Sequence, residues 1–497
     1  MSEDSSYKKI IKSTGIIGGS QVFTILIGIF RTKIVAVLLG PMGVGLVGLF
    51  QVTIDLIRSM TGFGINFSAV KDIAESNNSN NEVKISRTVF IVKRWAIATG
   101  VIGMLFAIIF CVPISEYTFG NDDYAIGILF LSITFIATSL SQAQLAILQG
   151  YRLMGKMAKA TVLGSILGLI ITVPLYWWFG LDGIIPGLIL MSFSSLIISW
   201  IFTKDLKTIP VVMNLQETFK GGLSMARLGF FIVISGFIGS LCTYAIRIFI
   251  ADEMGISSVG IFQASYTIST MYLSIILNSM LADFFPRLSV HSKDNTKVNT
   301  LINEQTELAL IFGAPMVIAI IAFCPLIIKL LYSSSFAGAV PILEWQAIGD
   351  FFVLITWPLG VLFLAKGMGI YSVLTDLLWA VLYYSLIYLG QDFFGVEILG
   401  IGFLIAIVIK LSVVFICVRR ISGFTWSRKN RLLIAVYLTL VFFTMINTRL
   451  FSGFIFYVNT FFIIGGVVSF SYYQLKKILV LPMIFEKIKI KYFRNKN

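Results

Sequence analysis

The sequence predicts an all-α, polytopic membrane protein with about fourteen transmembrane helices. These helices form two six-helix lobes in parallel repeat, followed by a C-terminal helical hairpin. Three observations lead to this reading. The chain has 497 residues, of which 57% are hydrophobic and only 12% charged, and its mean hydropathy is +0.93. Soluble domains carry roughly twice that share of charge. Its apolar residues fall into runs of spanning length, about 20 residues each. One run-opening motif also occurs twice, six runs apart.

The runs lie near 14–39, 47–70, 88–112, 124–148, 158–180, 184–203, 228–251, 259–285, 306–331, 341–365, 368–389, 397–418, 432–450 and 453–475. Glycine and proline inside them are tolerable where neighbouring helices satisfy the loosened backbone. The alternating segments of about 10 residues that a membrane barrel needs are absent. With the N-terminus in the cytoplasm, 31 of the 38 basic residues fall in cytoplasmic segments. The opposite loops carry Glu116, Asp122, Asp123, Asp182, Asp252, Glu253, Asp392 and Glu397. This asymmetry predicts fourteen spans with both termini cytoplasmic. It also accounts for the net charge of +14 through topology and anionic membrane lipids, with no nucleic acid as partner. The lysine-flanked first run ends in no cleavage site and is read as a retained span.

The repeat pairs Val47-Gly48-Leu49-Phe50-Gln51 with Val259-Gly260-Ile261-Phe262-Gln263. A basic residue (Arg31, Arg247) and a glycine (Gly40, Gly255) precede each copy. Six spans separate the copies, so both point the same way, and the axis relating them runs along the membrane normal. The lobes are expected at 1–219 and 220–418, with the hairpin and basic tail at 419–497.

Several motifs invite more specific chemistry, but each has a plainer explanation. Gly43-Val44-Gly45-Leu46-Val47-Gly48 matches a dinucleotide pattern, yet it sits between two spans and reads as a close helix contact. Asn121-Asp122-Asp123 reads as a solvated outer loop. Asn66-Phe67-Ser68 is a glycosylation sequon inside a span and is discounted. Gly164 and Gly168 read as a packing face, and the tail with Lys487, Lys489 and Lys491 reads as an interfacial segment. Four scattered cysteines and one histidine predict neither a disulfide framework nor a metal site, and no cofactor is expected.

Charges inside the spans are the informative residues, because each costs about 2.5–3.5 kcal/mol at a helix centre. Arg31, Lys33, Arg58, Arg247, Lys329 and Lys410 set against Asp55, Asp350 and Asp376 leave an excess of three positive charges. A cationic interior implies an anionic passenger. Arginine suits phosphate because its fork bonds two oxygens at once. Arg31, Arg58 and Arg247 are therefore the candidate substrate-binding residues. Asp55 three residues before Arg58 offers a simple ion pair as the competing account. Asp350, Asp376 and Lys410 are the candidate ion-coupling groups, with a static pair to Lys410 as the alternative for one carboxylate. Lys33 and Lys329 are expected to snorkel outward.

Taken together, these residues resemble the Wzx-type flippases, which include O-antigen translocases and lipid III flippases. These belong to the multidrug/oligosaccharidyl-lipid/polysaccharide exporter superfamily. The resemblance spans about residues 10–420. It rests on Leu39-Gly40-Pro41-x-Gly43-x-Gly45, Phe119-Gly120-Asn121-x-Asp123-Tyr124 and the motif at Val259. Ser335-Phe336, Trp345-Gln346-x-x-Gly349-Asp350 and Ala365-Lys366 complete it in order. The resemblance implies two lobes around a central cavity. It also implies a non-enzymatic flippase of the bacterial inner membrane that moves an undecaprenyl-diphosphate-linked oligosaccharide to the periplasmic leaflet by alternating access. A polysaccharide polymerase and a chain-length regulator are the protein partners it suggests. Related murein lipid flippases use arginines in spans one, two and eight; Arg31 and Arg58 match, whereas Arg247 in span seven departs. The alternatives are a cation-coupled multidrug antiporter, which calls for an acidic cavity, and a membrane enzyme, which calls for a large outer loop.

Overall fold

The computed structural model describes residues 3–78, 81–206, 209, 211, 213–228 and 230–494. Side chains at 3–18, 65–67, 77–78, 224–232, 282 and 478–494 are excepted. The N-terminal lysines, Asn66 and Phe67 of the sequon, and the tail from Lys487 lie outside the described side chains, whereas Ser68 is buried. Among the described residues there is no strand. In chain order the helices are α1 (Glu3–Thr61), α2 (Ile65–Asn78), α3 (Glu82–Ile109), α4 (Cys111–Phe119), α5 (Ala125–Leu131) and α6 (Ile133–Gly150). Next come α7 (Met154–Phe179), α8 (Ile184–Thr203), α9 (Leu215–Leu228), α10 (Phe230–Met254), α11 (Ile256–Val290) and α12 (Asn295–Leu331). The last are α13 (Ala339–Ala365), α14 (Gly369–Phe394), α15 (Ile398–Ser422), α16 (Arg428–Leu450) and α17 (Gly453–Arg494).

Eleven stretches of the described chain are long and apolar enough to cross a membrane, which makes this a multi-pass membrane protein. Three of them, Gly19–Thr61, Met154–Thr203 and Gly369–Ser422, run to 43, 50 and 54 residues. A straight helix of 43 residues would be about 65 Å long, twice the hydrocarbon core. Each of the three is broken by a glycine at positive φ: Gly40 (65°), Gly180 (56°) and Gly395 (51°). Gly40 is followed by Pro41, which suits the first position of a new helix. After Gly180 the chain turns so tightly that a Cβ on Gly183 would sit 2.4 Å from the Leu175 carbonyl oxygen.

The chain forms two compact units, Met1–Ala264 with Lys329–Ala337, and Ser265–Ile328 with Gly338–Asn497. In the first unit, α10 packs on α1, and α7 and α8 pack on each other. Gly164 and Gly168 face α8, where their built Cβ atoms meet Ser195 at 3.5 Å and Met191 at 3.0 Å. Small residues give close van der Waals contact where lipid supplies no hydrophobic drive between helices. The repeated motifs also meet in this unit. A Cβ on Gly260 would lie 1.9 Å from the Pro41 carbonyl oxygen, and one on Gly45 2.2 Å from that of Ile256. The glycine-rich pattern at 43–48 is thus a helix crossing.

In the second unit, α15 packs against both α13 and α14. Gly349 admits Phe403, whose ring atoms would lie 2.6 Å from a Cβ there. An apolar core of Phe284, Leu288, Ile302, Leu362 and Val418 lies at one end of this unit. The hairpin α16–α17 is tied down at both ends of α16. Asn430 Nδ2 donates to the Asn303 carbonyl at 2.8 Å, and Lys429 pairs with Glu307. At the other end, Arg449 lies 3.3 Å from Glu344 and 3.9 Å from Glu397.

Candidate functional site

The second segment of α1, together with α6, α7 and α8, encloses a cavity of about 290 Å³ inside the first unit. Arg58 forms part of its wall, beside Gln51 and Gln142. The Arg58 guanidinium lies 3.0 Å from Asp55, and both side chains are more than a third exposed. Gln51 donates to the other Asp55 oxygen at 3.3 Å. A pair this open contributes little, about 0–1 kcal/mol. It engages one end of the guanidinium fork, which has five donors in all.

Arg31 reaches the same region from the first segment of α1. It donates to the sulfur of Met191, itself a wall residue of the cavity. Among the described residues no carboxylate pairs with Arg31. Arg31 and Arg58 thus adjoin one cavity, Arg58 directly and Arg31 across Met191.

Arg247 is placed differently. It is 2% exposed, and its Nε and Nη2 donate to Gln263 Oε1 at 3.1 and 2.6 Å. Nη1 donates to the Thr243 carbonyl at 3.2 Å, and the guanidinium lies 5.5 Å from the Phe262 ring centroid. Gln263 and Phe262 belong to the second copy of the repeat, so this arginine fastens that motif. Its guanidinium is buried against this motif. Lys33 differs from the outward snorkelling expected of it, since it caps the end of α12 by donating to the Lys329 and Tyr332 carbonyls. Four C-terminal carbonyls of a helix have no partner within it, and a lysine suits them.

The three candidate coupling groups separate in the second unit. Lys410 donates to Asp376 at 2.8 Å, both partly buried, with the Trp379 ring 5.9 Å from the ammonium. Asp350 is fully buried. Its Oδ2 accepts from Tyr272 at 2.6 Å and Ser269 at 2.8 Å. Its Oδ1 has no partner among the described residues, nor has Oε1 of Gln346 one turn earlier.

Sequence reasoning left three carboxylates out of its tally: Asp283, Glu307 and Glu344. Each is matched by a base near a span end. Arg287 lies 3.1 Å from Asp283, Lys429 pairs with Glu307, and Arg449 holds Glu344. All three pairs lie in the second unit and leave Arg31, Arg58 and Asp55 near the first unit's cavity unaffected. The amphipathic α9 was also missed. Leu215, Phe219 and Leu223 are exposed along one stripe, while Trp95 donates to the Thr218 carbonyl at 2.8 Å and stacks on Phe219. The Phe119-to-Tyr124 motif is a turn built on Ser115, which donates to the Asn121 carbonyl at 2.7 Å and accepts from the Tyr124 amide. Burial pushes the Tyr124 phenol up, helped by Asp123 and Asp182. Asn121, Asp122 and Asp123 are exposed.

The chain matches the family described as "Polysaccharide biosynthesis protein" over residues 34–341. The lipid III flippase of Escherichia coli (strain K12) is 24% identical over 356 residues, which cover 70% of this chain and 83% of the relative. Stage V sporulation protein B of Bacillus subtilis (strain 168) is 23% identical over 375 residues, 69% of this chain and 70% of that protein. Among solved structures, an inward-facing multidrug resistance MATE family transporter superposes with a TM-score of 0.67 at 18% identity, covering 81% of this chain and 95% of that one. The lipid II flippase MurJ, in an inward closed conformation, gives 0.64 at 14% identity over 93% of this chain and 99% of its own. Both likenesses establish a shared helical transporter fold. With more than half of its length matched by the family, the chain belongs to the polysaccharide biosynthesis protein family.

Proposed function

We propose that this protein is a flippase for an undecaprenyl-diphosphate-linked oligosaccharide, an O-antigen-type repeat unit. It turns the lipid from the cytoplasmic to the periplasmic leaflet of the bacterial inner membrane by alternating access. The observation that carries the proposal is the cationic pair at the cavity of the first unit. Arg31 has no carboxylate partner among the described residues, and Arg58 shares only an exposed one. A diphosphate offers two anionic groups for two guanidinium forks. The name of the E. coli relative, lipid III flippase, supports the same cargo class. A multidrug antiporter would need acidic groups on the cavity wall, where Arg58 stands instead.

The reading includes fourteen crossings, because each of the three longest stretches has the length and the glycine break for two. It keeps both termini cytoplasmic and two lobes at 1–219 and 220–418. Arg247 plays a secondary part, holding the Gln263 motif in place. Coupling falls to Asp350, whose free oxygen and the adjacent Gln346 oxygen can share a proton or a monovalent cation.

Arg31→Ala and Arg58→Ala should each lower flipping at least tenfold at unchanged protein level, with lysine variants retaining part. Loss of a charge-assisted hydrogen bond costs about 1.5–3 kcal/mol. The assay is complementation of a flippase-null strain, with the accumulated lipid-linked sugar identified by mass spectrometry. Normal function of Arg58→Ala once Asp55 is also neutralised would reduce the site to an ion pair and remove the proposal's central residue.

A further inference from the structure

A second cavity, of about 440 Å³, lies between α11 and α12 inside the second unit. None of its residues lines the cavity at Arg58. Its apolar wall is Ile275, Ile276 and Met280 from α11, with Leu308, Phe312 and Met316 from α12. Ile275, Phe312 and Met316 are exposed, so the space is open along one side. From Ile275 to Asp283 it follows α11 for about 12 Å, at 1.5 Å per residue.

The Asp283 end is polar in a particular way. Gln305 is 7% exposed and lines the cavity, and its carboxamide has no hydrogen-bond partner among the described residues. Beside it, Arg287 lies 3.1 Å from Asp283 and 3.6 Å from Glu304, and all three side chains are more than half exposed. Two carboxylates thus share one guanidinium. Ser279, farther in, has given its proton to the Ile276 carbonyl at 2.7 Å and keeps only lone pairs.

This arrangement selects an occupant. A buried amide is costly without a partner, so the ligand must bring a polar group to Gln305. The long apolar wall takes a hydrocarbon chain, and methionine adapts to its irregular shape. The charged end disfavours an anionic headgroup, a diphosphate included, because the carboxylates outnumber the arginine. A simple cation would suit the carboxylates but oppose Arg287. A zwitterion meets both, with its phosphate at Arg287 and its ammonium at Asp283 and Glu304. A primary ammonium also brings three N–H donors for the carboxylate oxygens, which a quaternary one lacks.

We propose that the cavity between α11 and α12 holds one phospholipid of the ethanolamine type. Its headgroup lies at Asp283, Arg287 and Glu304, an ester carbonyl accepts from Gln305, and one acyl chain runs along the wall to Ile275 and Met316. The inference does not depend on the flippase reading. It does bear on the second unit's buried carboxylate, because Tyr272, one turn before Ile276 on α11, donates to Asp350. The chain would therefore press on the stretch of helix that carries this donor.

The test is native mass spectrometry of the full-length protein, purified in detergent, stripped of lipid and titrated with three dioleoyl lipids: phosphatidylethanolamine, phosphatidylcholine and phosphatidylglycerol. Wild type should bind one phosphatidylethanolamine about fivefold or more tightly than either of the others. Gln305→Leu keeps the bulk and should weaken that lipid about threefold or more. Asp283→Asn combined with Glu304→Gln alters only exposed groups and should fold even where the leucine variant does not. It leaves Arg287 alone and should turn the preference toward phosphatidylglycerol. Equal binding of the three lipids by wild type, or an ethanolamine preference that the folded variants leave unchanged, would overturn the inference. Tetraphenylphosphonium binding more tightly than phosphatidylethanolamine and displacing it would also overturn it, and would assign the cavity to lipophilic cations.

Discussion

Asp350 and Asp376 look alike in the sequence as carboxylates deep in the second half, and their surroundings give them different chemistry. Asp376 is neutralised by Lys410 at 2.8 Å. Removing one partner of such a pair strands the other, at about 3–5 kcal/mol when fully buried and less here, where both groups are partly exposed. Asp376→Asn should therefore lower the yield of folded protein, and adding Lys410→Met should restore it, as read by melting temperature in detergent. Asp350 has two hydroxyl donors and no base among the described residues. Asp350→Asn should keep the yield but make flipping indifferent to pH and sodium; full gradient-dependent flipping in that variant would exclude it from coupling. The position of each carboxylate was legible from the run it interrupts. The partner was not, because Tyr272 and Ser269 lie some eighty residues from Asp350 and periodicity records only neighbours on one helix. Glu344 escaped for the same reason, since its base, Arg449, comes from the hairpin.

At the level of elements, the crossing of α1 and α11 places severe demands on side-chain size. A methyl group on Gly260 would fall well inside the contact distance of the Pro41 carbonyl, and no flexible side chain is there to yield. Overpacking of this kind costs about 1–3 kcal/mol. Gly260→Ala and Gly45→Ala should each lower the melting temperature and the folded yield. Gly236→Ala, which meets nothing within 4 Å, should leave both unchanged. Equal tolerance at all three would mean the crossing is not close. The repeat that marks this crossing was readable from Val47 and Val259, but nothing in either copy says that the two touch. The helix α9 was hidden differently. Its apolar residues recur every four positions, yet they lie in a segment whose charges mark it as a loop, and the hydropathy signal for a span does not respond to so short a stripe.

On the scale of the whole molecule, composition and charge asymmetry already specified a multi-pass bundle. The apolar runs part after 39, 180 and 389, and Gly40, Gly180 and Gly395 at positive φ are the residues that break the helices there. Reporter fusions after Asp122, Asp252 and Asp392 should report periplasm, and those after His291 and Asn497 cytoplasm. A periplasmic C-terminus would remove the fourteen-crossing arrangement. The hairpin α16–α17 has a practical use in following any such cycle. Because Arg449 at one end of α16 and Lys429 with Asn430 at the other bind it to the second unit, it has little freedom to swing independently. A fluorophore on the exposed face of α16, for instance at Phe443, would then serve as a spectroscopic handle on that unit. Energy transfer from it to a dye on the first unit would register transport as a change in distance, without a label touching the cargo route.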